Sequence, residues 1–359
     1  MKTRILALLS AVLLLLPLAG CAASPAVMNY HKESVSINEY RYWLSTYKGN
    51  FMTAYSDMSN TDSFWNSILY DDVTAEEYLN QAVIENVKRT LVCTALFDEY
   101  GLKLSDGDIA DVDSYISDLI RERANGSKNV LNQSLASFGI NVDMLRDICL
   151  DEAKTSQLFR YLYGSGGPRE MDAEALDAYC AQNYARIRHI YVNDAYTYDM
   201  DGDKYKFDTN GQALTRALTE EEKAEKDKTV SAIEAALAAG EDFTAVYDEY
   251  SEDHYYKNGY YLTRTTDFIS EVVDAAFSLE TGEWTRVDSE YGVHFIQRLE
   301  MDPAPYNNAD NADFFDSFSS DAKNADFRAY LDTLLPDVEV DSEAISQYSI
   351  RDAAINYSI

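Results

Sequence analysis

The chain has 359 residues, with 62 acidic against 30 basic side chains and a formal net charge of −32. Such a balance opposes binding to nucleic acid and to anionic headgroups, and the length allows two domains with cores of their own. No C-x-x-C pair, phosphate-binding glycine loop or nucleophile motif is present, so neither a metal nor a cofactor is expected.

Taken in chain order, residues 1–20 read as a targeting segment. Lys2 and Arg4 precede an apolar stretch from Ile5 to Leu18 that is short for a membrane span. It ends in Leu18-Ala19-Gly20-Cys21, which resembles a bacterial lipoprotein signal. That resemblance implies cleavage before Cys21, a lipid on its sulfur and a membrane anchor, with residues 21–34 as a tether. Loss of Lys2 and Arg4 takes the net charge from −32 to −34. The remaining cysteines, Cys93, Cys149 and Cys180, match no zinc spacing; they read as buried thiols, with a disulfide between two of them left open.

Residues 35–163 read as a helical domain. A first helix opens near Val35 to Tyr40, and Thr74-Ala75-Glu76-Glu77 is a capping box ahead of Leu79, Val83, Val87 and Leu91 at helical spacing. Further amphipathic patterns run from Ile109 to Ile120 and from Asp143 to Leu162. Gly164-Ser165-Gly166-Gly167-Pro168 marks a linker at residues 164–170. Residues 171–300 form the second domain. It opens with a helix capped by Asp172, followed by a strand at Ile187–Val192 and an inserted hairpin turning at Asp201-Gly202. The string Asp199-Met200-Asp201-Gly202-Asp203 lacks the spacing of a calcium loop and reads as that turn. A helix capped by Thr219, short helices at 244–250 and 270–277, and closing strands near Thr285–Val287 and Val293–Leu299 complete it. Residues 301–359 are expected to be helical and to pack on the first domain. The fold class is α+β.

The chemistry concentrates in two short strings, Arg188-His189-Ile190-Tyr191-Val192 and Glu290-Tyr291-Gly292-Val293-His294-Phe295-Ile296, in a chain with only four histidines. Between them lie Tyr250-Ser251-Glu252-Asp253 and Ala275-Ala276-Phe277-Ser278-Leu279. This ordered set resembles the parvulin family of peptidyl-prolyl isomerases, and the helical array ahead of it is similar to the PrsA- and SurA-type extracytoplasmic foldases. The resemblance implies an antiparallel-sheet domain with His189, His294 and Asp253 as catalytic residues. It also implies a proline pocket formed by Phe268, Val272, Phe277 and Tyr261. Phe268 and Val272 stand where the family has methionine and phenylalanine, and the family's G-G-D-L-G run reads here as Asn258-Gly259-Tyr260-Tyr261-Leu262.

The implied function is isomerisation of X-Pro bonds in unfolded secreted proteins, at the outer face of the cytoplasmic membrane or in an outer membrane. Two alternatives stay open. One is a non-catalytic holdase on a degenerate scaffold. The other is a ligand-binding surface lipoprotein, suggested by the 28 tyrosines.

Overall fold

The computed structural model describes residues 24–54, 60–256 and 258–356, which form two units. The first joins residues up to Arg169 with those from Phe327 onward, and the second spans Glu170–Asp326. The targeting segment, and with it Cys21, lies outside the described residues. Among those described, no helix is long and apolar enough to cross a membrane.

The first unit is built on long helices, Ile37–Ala54, Ala75–Glu99, Asp106–Arg123 and Val142–Tyr163. The Thr74 capping box closes as its sequence implies, with Glu77 returning a hydrogen bond to the Thr74 amide. A core of Ile116, Leu119, Leu131, Leu135, Leu145 and Ile148 fills the space between the last two of these and the short helix Lys128–Leu135 that links them. One expectation is corrected here. Residues 24–34 are not a plain tether, because Ala26–Tyr30 and Glu33–Ser36 pair as an antiparallel hairpin. Val27, Met28 and Tyr30 are buried on it, and Glu339–Val340 closes its free edge.

The C-terminal segment divides at Phe327. Phe327 packs its ring against Phe159 and Tyr163 in the first unit. The buried Lys48 ammonium donates to the carbonyls of Arg351 and Ala353, which ties residues near the chain's end to the first helix. Residues 301–326, expected to pack on the first unit, belong instead to the second. There Phe315 stacks on Tyr184, Phe318 meets it edge-on, and the aromatic cluster buries Cys180. The three cysteines are thiols; burial pushes Cys93 up to about 12 and Cys149 and Cys180 up to about 11.

The second unit contains a four-stranded antiparallel sheet in the order Tyr260–Thr263, Tyr184–Val192, Gly292–Arg298, Trp284–Ser289. Because side chains alternate across a strand, each strand serves two cores. Ile190, Val192, Val293 and Phe295 face the helices Glu220–Ala238 and Phe243–Tyr250. Ala185, Ile187, Leu262 and Ile296 face the helix Ser270–Ser278. The first edge strand, Tyr260–Thr263, has no counterpart in the sequence reading.

Candidate functional site

His189 and His294 stand two residues along from Ile187 and Ile296, so both project from the face that carries the Ser270–Ser278 helix. The register offsets them diagonally, His189 opposite Ile296 and His294 opposite Tyr191. Their rings stack at 5.0 Å, with His189 Nε2 2.8 Å from His294 Nδ1. Both are buried, at 4% and 1% exposure.

Asp253 reaches this pair because the strand's edge is only half covered. Tyr260–Thr263 pairs with residues 184–187 and stops. Beyond it the Ser251–Asp253 segment takes over. The Tyr191 amide donates to Ser251 Oγ, the Glu252 amide donates to the Tyr191 carbonyl, and the Asn193 amide donates to the Glu252 carboxylate. A Lys226–Glu252 ion pair secures the same segment. Asp253 Oδ2 thereby lies 3.6 Å from His189 Nδ1, a contact longer than a hydrogen bond. At the other end, Ser289 Oγ is 2.7 Å from His294 Nε2.

These four groups form a line, and the carboxylate orients it. A carboxylate next to an imidazole nitrogen favours a proton on that nitrogen. His189 then carries hydrogen on Nδ1 and accepts at Nε2. It follows that His294 donates from Nδ1 and accepts at Nε2 from the Ser289 hydroxyl. The His189 ring in turn holds the Asp253 carboxyl below the usual carboxylate range, against the opposing effect of burial. His294 is pushed down to about 4, first by burial and then by its histidine neighbour.

That neutrality has a pH consequence. The unfolded chain protonates His294 near pH 6.5, whereas the folded chain resists until about pH 4. Its contribution is therefore complete above pH 6.5 and is lost as the pH falls toward 4. The loss amounts to about 3 kcal/mol in full, with more than half gone at pH 5. Urea unfolding of the wild type and of His294→Gln at pH 7.5 and pH 5 checks this, with the wild type losing more stability between the two.

Beside the line lies a cleft of about 600 Å³ lined by Asp267, Phe268, Ile269, Ser270, Glu271, Ser289, Glu290 and Tyr291. Phe268 is 39% exposed there and meets the His189 ring edge-on at 6.2 Å. Of the other expected pocket residues, none stands with it. Tyr261 points to the opposite face, where its hydroxyl donates to Asp302 and its ring meets Phe315. Val272 is fully buried between its helix and the histidine-bearing face of the sheet, so it does not line the cleft. Phe277 lies near the far end of that face, with Arg264 over its ring and Arg298 beside it.

The residue on the histidine face is Tyr260, 6.3 Å from His189 and 5.9 Å from Phe268, ring to ring. Its buried hydroxyl has no hydrogen-bond partner among the described residues, and neither does that of Tyr247. Asp253 is close enough to both to disfavour their ionisation, an effect second to burial. Tyr260 was missed because its strand was missed; the run Tyr260-Tyr261-Leu262-Thr263 after Gly259 carries the β-propensity that could have found it. Among the described residues no group of histidine, cysteine and carboxylate side chains is placed to hold a metal.

Residues 203–302 match the family model of the PPIC-type PPIase domain. The second unit carries a parvulin-type peptidyl-prolyl isomerase domain. The match includes Asp253 and His294 and begins after the strand that holds His189. No curated protein matches the chain. Among solved structures, PrsA from Bacillus subtilis is 19% identical, with 81% of this chain and 88% of that one covered, at a TM-score of 0.24. The foldase PrsA from Streptococcus pneumoniae is 16% identical over 79% and 98%, at 0.24. One chain from the study of two SurA-like chaperones of Campylobacter jejuni is 9% identical over 89% and 98%, at 0.25.

Proposed function

We propose that the second unit catalyses cis–trans isomerisation of X-Pro bonds, and that the chain is a lipid-anchored extracytoplasmic foldase for unfolded secreted proteins. The observation that carries the catalytic reading is the line Asp253–His189–His294–Ser289 running along the Phe268 cleft. An X-Pro amide resists rotation by about 18–20 kcal/mol because resonance gives its C–N bond double-bond character, in a form that places negative charge on oxygen. Seating the proline ring against Phe268 removes water that stabilises that charge. An ionised Asp253 beside the carbonyl disfavours it further, and both effects lower the barrier. The two histidines hold Asp253 through His189 and need not exchange a proton with the substrate.

In this reading residues 171–300 are the catalytic domain and residues 35–163 supply a chaperone-like surface. Cys21, after removal of residues 1–20, fixes the protein to the outer face of the cytoplasmic membrane, as the lipoprotein-like signal suggests. The holdase alternative draws on one observation: Val272 lies buried, so the proline pocket has fewer exposed apolar walls than the sequence implied.

Exchange spectroscopy of short X-Pro peptides by NMR, with protein beginning after Cys21, separates the two. Cross-peaks growing well above the uncatalysed rate are expected. No acceleration across varied residues before proline, together with suppressed aggregation of an unfolded client, would leave the holdase.

A further inference from the structure

Between Val192 and Glu220 the chain leaves the sheet and builds an arm of three short ribbons. Tyr196–Tyr198 pairs with Thr215–Ala217, Met200–Asp201 with Lys204–Tyr205, and Phe207 bridges to Ala213. They meet where the Asp199 amide donates to the Leu214 carbonyl and the Lys206 amide donates to that of Asp199. Alternation puts Tyr196, Tyr198 and Met200 on one face. Tyr205, the cross-strand partner of Met200, joins them, and Phe207 follows two residues on. The Tyr198 and Tyr205 rings touch at 5.0 Å. These five side chains are 37–60% exposed. A contiguous aromatic face left in water on an arm this thin marks an interaction surface.

Two observations identify what covers it. The first is continuity with the cleft. The Tyr196 amide donates to Asn193 Oδ1, just past the strand that carries Tyr191, and the Tyr191 hydroxyl donates to the Tyr291 carbonyl at 2.7 Å. Tyr291 lines the cleft together with Phe268. The second is charge. Asp267, Glu271 and Glu290 line the cleft with no lysine or arginine among its walls. On the arm, Lys206 is paired with Asp199 and Arg216 with Glu222, while Asp201 and Asp203, against one cation Lys204, have no ion-pair partner among the described residues. A net charge of −32 disfavours a second copy of the chain as the occupant.

We propose that the aromatic face of this arm docks the client segment flanking the proline, an extended polypeptide of apolar side chains interspersed with lysine or arginine. The assignment rests on the isomerase reading of the cleft, which the arm extends. The test compares wild type with the triple variant Tyr198→Ser, Tyr205→Ser, Phe207→Ser, all at exposed positions outside the catalytic line. Two probes share one X-Pro bond: a peptide of about four residues, and one of about a dozen that adds leucine, phenylalanine and lysine and spans ~40 Å.

Wild type is expected to bind the long peptide about tenfold more tightly than the short one. The triple variant is expected to lose that advantage while exchanging the short peptide at the wild-type rate. Replacing the lysines by glutamate should weaken binding to the wild type by a similar factor. Equal affinity of variant and wild type for the long peptide would overturn the proposal. So would an arm whose only measurable partner is a second copy, by sedimentation, or a neutral phosphatidylcholine vesicle. If the wild type exchanges neither peptide yet the variant still loses the long one, the isomerase reading fails and the docking surface stands.

Discussion

Asp253→Ala is expected to lower the rate of X-Pro exchange by roughly 100-fold while leaving the fold intact. The two effects separate because of where the side chain sits. Its loop is fastened through Ser251 and Glu252, by bonds to the backbone of residues 191 and 193 that do not involve the Asp253 carboxylate. That carboxylate is about a quarter exposed and accepts one local bond, from the Tyr255 amide. Its loss should cost about 1 kcal/mol of stability or less.

His189→Ala should behave differently. It orphans the buried Nδ1 of His294, so stability falls by about 1–3 kcal/mol along with activity. Asp253→Asn refines the test, since it keeps the shape and removes the charge. Exchange measured by NMR should fall in both Asp253 variants if an anion beside the carbonyl lowers the barrier. Wild-type exchange in Asp253→Ala would remove this residue from the mechanism, and full activity in Asp253→Asn alone would remove the charge.

The placing of His189 and His294 on paired strands was legible in sequence for a physical reason, whereas Asp253 came from the family resemblance alone. Two of only four histidines occupy short apolar alternations, and a strand with period-two patterning fixes which face each residue takes. The same rule explains the error at Tyr261. Without the edge strand there is no register, and a shift of one residue exchanges Tyr260 for Tyr261 across the sheet. Ser289 escaped notice because its role depends on the turn between two paired strands, which sequence distance alone does not reveal.

At the N-terminal side, Ala26–Tyr30 looked like tether because its outer edge is closed by Glu339–Val340, more than three hundred residues away. The division of the C-terminal segment was hidden for a related reason. Phe314, Phe315 and Phe318 are apolar enough to pack on either unit, and only the proximity of Tyr184 and Tyr261 decides it.

Gly292→Ala should cost the second unit about 3 kcal/mol or more and disable the site with it. Gly292 opens the strand that carries His294, at φ +149°. A Cβ there would stand 2.4 Å from the Val192 carbonyl oxygen, 3.0 Å from the Tyr191 ring and 3.1 Å from the Asn193 Cα. Two of those three atoms are backbone at the end of the neighbouring strand and just past it, and Val192 pairs with Val293 in the register that sets the two histidines diagonally. Relief by a side-chain rotation is therefore unavailable. The strands must part where His294 meets His189, and exchange activity should fall together with stability.

Gly202, on the arm, supplies the comparison. Its φ is +61° but a Cβ there meets nothing within 4 Å, so Gly202→Ala carries only the backbone strain, about 1 kcal/mol. Urea midpoints of the two variants should differ accordingly, with catalysis of short peptides retained in Gly202→Ala. Equal midpoints would mean that the two central strands can separate at Gly292 without cost, which the packing of Tyr191 against His294 at 5.1 Å argues against.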